Sequence, residues 1–424
     1  MSKWIAGIVL AFTFVLYHSC KAETITVMQA LNSAFSVHPS VAIARADYEQ
    51  ALGQRLIEVS PDPASMALEY EGVPDGESID VHEARTLVLS QEFEFPLKYV
   101  WRVKAANIAV DEARIEALIQ MLDLELEVRN AYVQAWMIDQ QLMILEENAD
   151  AADNYARQLK RLVELGESTP LEERRARVEA LQASTERDAV RKERIAIWGK
   201  FQRMTGLDTA GIILDPPIAF DSSNTSSSES MFNMVDSFEH KSAQLQSSLA
   251  EVEINSAVFG WLPDLEFSYF QQNIPAEADP NFWGVEFGIS LPVWFWFGGR
   301  GEIQTAKASR RAARANLENL RLQQQTTAVT LIHSQQALRE KLELYNEQVH
   351  PLAEEAYELA KKSFELGEAI YLEVIDAQRT FLDIQLEHLE IQADLANVMS
   401  EIDRLAGRSV IGQDELQKLI DTGK

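Results

Sequence analysis

The chain runs to 424 residues, 46% hydrophobic and 25% charged, a balance that excludes both a polytopic helical membrane protein and a disordered chain. Its 38 basic residues stand against 66 acidic ones, and the resulting net charge of −28 repels nucleic acid and suits cations. Cys20 is the only cysteine, so a disulfide framework and a thiolate metal site are both ruled out.

Met1, Ser2 and Lys3 precede an apolar run from Trp4 to Tyr17 and then small and polar residues through Ala22, the layout of a secretory signal over 1–22. Cleavage after Ala22 places small residues, Cys20 and Ala22, at the required positions. Lipidation would use Cys20 after Tyr17, His18 and Ser19, a poor lipobox. Beyond this signal no stretch reaches the ~20 apolar residues a membrane helix needs, so any membrane segment has to be built from strands.

The mature chain is a duplication at a spacing near 200 residues. Glu164-Leu165-Gly166-Glu167 returns as Glu365-Leu366-Gly367-Glu368, Leu171-Glu172 as Leu372-Glu373, Pro61-Asp62 as Pro263-Asp264, and His38-Pro39-Ser40 as His240-Lys241-Ser242. The boundaries that follow are a first repeat at 23–207, a Ser-rich linker at 208–229, a second repeat at 230–407 and a tail at 408–424. In the first repeat periodicity predicts a helix over 26–59, strands over 65–71 and 84–95, a very long helix over 98–165 and another over 170–205. The second repeat reads as helix 230–260, strands 264–271 and 282–292, and helices 298–365 and 371–405.

The strands alternate. Met66, Leu68 and Tyr70 oppose Ala67, Glu69 and Glu71, while Trp283, Val285, Phe287, Ile289 and Leu291 oppose Gly284, Glu286, Gly288 and Ser290. One apolar and one wet face is the pattern of a membrane barrel strand, and Trp294, Phe295, Trp296 and Phe297 suit an interfacial aromatic girdle. A soluble sheet with one solvated face gives the same alternation. At 1.5 Å per residue the two longest helices reach about 100 Å, and the shorter helices meet end to end beside them. The last helix carries two apolar seams. One runs through Val374, Ala377, Phe381, Ile384, His388, Ile391 and Leu395, the other through Leu382, Leu386, Leu389, Ala393 and Ala396, as a helix with neighbours on two sides requires. His388 reads as a packed helix histidine. Pro351 is expected to bend or break helix 298–365.

Four strands cannot close a barrel, and an open sheet edge in lipid leaves backbone groups unpaired. Two copies give eight strands, a barrel filled by its own side chains; three give twelve with a wet lumen, and four copies remain the alternative to three. The fold class expected is therefore mainly α with a small membrane β part, long helical hairpins forming an α-barrel joined to a β-barrel that several copies share.

In the order of these elements the mature chain resembles the TolC-type outer-membrane efflux family. The stretch from His38-Pro39 to Pro61-Asp62-Pro63 and the passages Phe95-Pro96-Leu97 and Leu291-Pro292-Val293 resemble its heavy-metal (cobalt-zinc-cadmium) branch. The resemblance implies an outer-membrane location with a long periplasmic extension. It implies a homotrimer whose periplasmic α-barrel lies below a trimeric 12-stranded β-barrel in outer-membrane lipid, docked to a periplasmic adaptor protein and an inner-membrane proton-driven pump. Heavy-metal cations are the expected cargo; drugs or small organic molecules are the alternative, and a non-conducting coiled-coil scaffold is a further one, disfavoured by the strands.

Two sites follow. Leu165, Gly166, Glu167 and Leu366, Gly367, Glu368 turn the hairpins, and the resemblance makes them the adaptor-contact tip; helix capping alone explains the same residues. Glu373 and Asp376, three residues apart on one helix face, match the acidic pair of the periplasmic gate, while the first repeat has Glu172 and Arg175 there. A solvated acidic face is the plain alternative. Phe364 and Ala369 stand where the family gate would have a tyrosine and an arginine, which puts that gate's polar network in doubt here. No phosphate loop and no nucleophile with a histidine partner is found, so neither an enzyme nor a cofactor is expected. His38, His82, His240, His333, His350 and His388 are dispersed in sequence and suggest no metal site.

Overall fold

The computed structural model describes residues 23–208, 211–217, 237–275, 281–291 and 293–421. The signal and Cys20, most of the Ser-rich linker and Pro292 lie outside the described residues, as do the side chains of Trp296 and Phe297.

The first repeat opens with β1 (Glu23–Ile25) and α1 (Val27–Val37). Thr26 caps α1 reciprocally with Gln29, which satisfies two backbone donors that the first turn cannot. The predicted helix 26–59 is in fact two helices. Pro39 forces His38 into extended backbone, and α2 (Pro39–Val59) starts anew from it. Strands β2 (Ser65–Glu71) and β3 (Ala84–Phe93) follow, then α3 (Pro96–Leu165) and α4 (Pro170–Thr205). With 70 residues α3 is about 105 Å long.

Within the span read as linker, β4 (Ile212–Leu214) pairs in parallel with β1. The second repeat holds α5 (Phe238–Phe259), β5 (Asp264–Asn273), β6 (Asn281–Ser290), α6 (Phe295–Leu344), α7 (His350–Glu365) and α8 (Tyr371–Leu405). Between α6 and α7 the helix does not break at Pro351. It widens into a π-helical turn, Tyr345–Val349, which makes room where the proline ring and its missing N–H would disrupt an ordinary turn. Inside the span read as a tail, α9 (Gln413–Asp421) buries Leu416 and Ile420.

The two repeats share one antiparallel sheet in the order β2-β3-β5-β6. Its register lines Met66, Leu89, Tyr269 and Val285 in one row and Leu68, Leu87, Gln271 and Trp283 in another. These apolar side chains project outward, with Met66 75% and Phe287 76% exposed. The opposite face carries Ser65, Ser90, Ser268 and Glu286 in one row and Glu92 with Glu266 in another. An apolar face of that extent is not tolerated in water and suits lipid. Among the described residues no helix is long and apolar enough to cross a membrane.

The main core lies midway along α3. There Leu31, Phe35, Tyr132, Trp136, Trp198, Phe201 and Leu416 pack from α1, α3, α4 and α9. The Tyr132 hydroxyl sits 2.7 Å from the Ile25 carbonyl and 2.8 Å from that of Asp215, pinning β1 and the end of β4 to α3. Both seams of α8 find their neighbours: Ala393 and Ala396 meet Val133 of α3, and Ile391 and Leu395 meet Leu342 of α6. Salt bridges join the repeats at this level. Arg404 of α8 binds Asp123 of α3 and Glu239 of α5, and Arg129 of α3 binds Asp403 at 3.1 Å.

Candidate functional site

At the far end of the hairpins both turns are closed by glycine in left-handed backbone. Gly166 has φ 81° and Gly367 φ 74°, and the N–H groups of Glu167 and Glu368 donate back to Leu162 and Ser363 at 2.8 Å. At either glycine an added Cβ would meet nothing, so only the positive φ requires the residue. Leu165 and Leu366 stand out from these turns 72% and 66% exposed, beside exposed Leu171, Ile370 and Leu372. The tip is thus an apolar rim on an otherwise acidic molecule.

Beyond the first turn Glu172 is consumed by capping. It accepts from the Ser168 hydroxyl at 2.6 Å and from the Thr169 N–H, and these bonds hold its carboxyl below the usual range. The second turn has no such side-chain cap at Ile370. Glu373 and Asp376 are therefore released from structural duty. Both are exposed on one face of α8, and among the described residues neither is in a salt bridge.

These two begin a longer feature. Glu373, Asp376, Thr380, Asp383, Glu387, Glu390, Asp394, Asn397 and Glu401 follow one another at alternating spacings of three and four, which keeps them on one stripe of α8. All are exposed except Glu387 and Asn397, which are half-buried. Glu387 is engaged by Lys341 at 2.7 Å. The sequence reading singled out only the first pair, although the spacing that defines its apolar seams also defines this polar one.

Behind Glu373 and Asp376 the hairpins are held by aromatic packing. Tyr371, Val374 and Ile375 bury against Tyr155, Leu159 and Ala176, and Phe364 meets the rings of Tyr155 and Tyr371 at 6.1 and 6.2 Å. Burial pushes the Tyr371 phenol up to about 12, so it stays neutral. Phe364 thus fills space in the core. Polar ties near this level are Arg379 of α8 with Glu179 of α4 and Gln378 of α8, which donates to Asn148 of α3 at 2.7 Å.

Further along α8, His388 lies next to His350, with ring centroids 5.6 Å apart. The two histidines are brought together from separate helices. Burial, and secondarily the neighbouring imidazole, hold His388 below its ordinary value. Among the described residues no group of three or more His, Cys, Asp and Glu side chains is placed to hold a metal ion.

Residues 237–408 match the model of the family described as Outer membrane efflux protein. The chain is 25% identical over 302 residues to the cobalt-zinc-cadmium resistance protein CzcC of Cupriavidus metallidurans, covering 68% of each chain. Its fold is similar to that of the outer-membrane channel OprN, with a TM-score of 0.77 at 16% identity over 90% of both chains. It is equally similar to CusC, with a TM-score of 0.77 at 14% identity over 90% of this chain and 92% of that one.

Proposed function

We propose that this chain, a TolC-type outer-membrane efflux protein, forms a homotrimeric duct that carries heavy-metal cations out of the cell as the outer part of a tripartite pump. The sheet ends at β2 on one side and β6 on the other, and lipid has no donors or acceptors for the free backbone groups of those edges. Joining β6 of one copy to β2 of the next removes both edges, and three copies close twelve strands around a wet lumen. The same rotation turns the helical hairpins into a tube ending in the two apolar turns. In this reading those turns, Leu165 to Glu167 and Leu366 to Glu368, receive a periplasmic adaptor, and an inner-membrane pump supplies the energy.

The observation that carries the cation assignment is the carboxylate stripe of α8, beginning at Glu373 and Asp376. Threefold symmetry brings six carboxylates of this pair together at the entrance, a ring that favours cations and opposes anions. Similarity to a cobalt-zinc-cadmium resistance protein supports heavy metals as the cargo. Deleting the gene tests this choice. The mutant is expected to lose resistance to cobalt, zinc or cadmium salts; unchanged metal tolerance with altered antibiotic tolerance would reassign the same duct to organic molecules.

A further inference from the structure

The π-helical turn at Tyr345–Val349 leaves a feature that conduction through an acidic tube does not require. A π turn takes in one residue more than an α turn, which rotates the following helix by about 100°. His350 is the first residue beyond it, and its N–H donates to Tyr345 across the turn. In this setting the His350 ring faces α8. It stands 5.6 Å from the ring of His388 at 52° and 5.5 Å from Phe381, which closes one side.

Two imidazoles that share one ion at about 2.0–2.1 Å from each ring nitrogen have centroids about 5–6 Å apart. The observed separation falls in that interval without movement of either helix. Around His388 Nε2 the polar groups are two amides: the Asn346 oxygen lies 2.7 Å away and the Gln392 nitrogen 3.2 Å away. A ring nitrogen cannot donate to the first and accept from the second at once, so one amide has to turn. Both rings are half-buried, and Asn346 is exposed, which leaves the pair open to water on that side.

We propose that His350 and His388 form a transition-metal site of the imidazole-preferring class, zinc, cobalt, nickel or copper in the divalent state. Two protein nitrogens bind, with water and the Asn346 oxygen completing the shell. Two neutral ligands hold an ion weakly. Weak holding is what a conduit needs, since an ion must enter a site and also leave it. The site lies 12 residues beyond Asp376 on α8, about 18 Å further along the helix. There it acts as a sorting station that retards imidazole-binding cations relative to sodium, potassium, calcium and magnesium. That role rests on the duct reading above; the coordination itself does not.

Copper(II) as the sole added ion tests the site on the full-length purified assembly by electron paramagnetic resonance. Imidazole ligation gives nitrogen hyperfine structure, which the many surface carboxylates cannot. The expected result is one such copper per protomer with two coupled nitrogens, lost in His388→Gln and in His350→Gln, and kept in Glu373→Gln/Asp376→Asn. An unchanged nitrogen pattern in the double histidine variant, or a single-nitrogen pattern in the natural chain, would overturn the pair. Reversal potentials in potassium chloride, measured on the same samples, check that each variant still inserts and separate the two readings. In the natural chain, absence of cation preference with the copper signal present would sink the duct's cation assignment, and the converse would sink only the histidine site.

Discussion

Arg379 of α8 grips Glu179 of α4, its Nε donating to Glu179 Oε1 at 3.0 Å while an outer guanidinium nitrogen binds the second carboxylate oxygen. The two residues lie 200 positions apart, one in each repeat, a few turns from the tip. The Glu179 side chain is only 17% exposed, whereas that of Arg379 is 58% exposed.

Because the arginine is so open to water, the pair adds at most about 1 kcal/mol to folding. Its work is to set where α8 stands at the tip. Arg379→Ala is expected to leave the melting temperature of the assembly within about 3 °C of the natural one and to raise single-channel conductance. Arg379→Lys should fall between, since an ammonium cannot make the two-pronged contact. Identical conductance in all three would show that this pair does not position the entrance.

The turn glycines separate two costs. Gly166→Ala meets no atom and should lose about 1 kcal/mol from left-handed backbone alone. At Gly206, φ 69°, a Cβ would also come within 2.8 Å of Val37 Cγ2, adding about 1–3 kcal/mol of overpacking. Gly206→Ala should therefore lower thermal stability more than Gly166→Ala, and adding Val37→Ala should recover part of the difference. Equal losses at the two positions would contradict the close approach of α1 to the end of α4.

Glu125 is 2% exposed, and burial raises its carboxyl above the ordinary 4.5 even though Val410 N–H donates to it at 2.9 Å and the Ser409 hydroxyl also donates. A carboxyl raised on folding binds more protons in the native state. The stability linked to it is complete below about 4.5 and is lost as pH rises through the raised value. Glu125→Gln carries no charge and keeps an acceptor oxygen for the Val410 N–H, while the Ser409 hydroxyl can turn to accept from the new amide. Relative to this variant, the natural chain should lose melting temperature between pH 4.5 and pH 8. A difference that stays constant over that window, or grows the other way, would count against the assignment.

Much of this molecule was legible in its sequence because its long elements carry their own punctuation. Gly166, Pro170, Gly206 and Gly367 mark helix ends by backbone geometry, and the alternation in β2 and β6 needs no partner to be seen. Short or cooperative features were not. The parallel pairing of β1 with β4 joins three-residue segments, too short for periodicity and fixed by Tyr132 from a distant helix. Pro39 divides a helix that read as continuous, whereas Pro351, an equally strong signal, is absorbed by a π turn. Helix α9 shows its purpose only when Leu416 and Ile420 meet the core. Glu373 and Asp376 were visible from their spacing, but the Arg379–Glu179 tie and the His350–His388 pair arise from contacts between helices.

Closure of the sheet between copies is open to crosslinking. With Leu68→Cys on β2 and Phe287→Cys on β6 in one chain, oxidation in the membrane should link neighbouring copies into a ladder ending at three. A ladder that ends at two, or continues past three, would give a barrel of another size.

The reversal potential of the purified assembly in planar bilayers under a potassium chloride gradient bears most directly on an acidic, cation-passing duct. The expected sign is that of cation preference, reduced in Glu373→Gln/Asp376→Asn at 0.1 M salt. At 1 M, where the Debye length falls to about 3 Å, the difference between the two should shrink. An assembly that inserts yet does not conduct, or that prefers chloride, would contradict it.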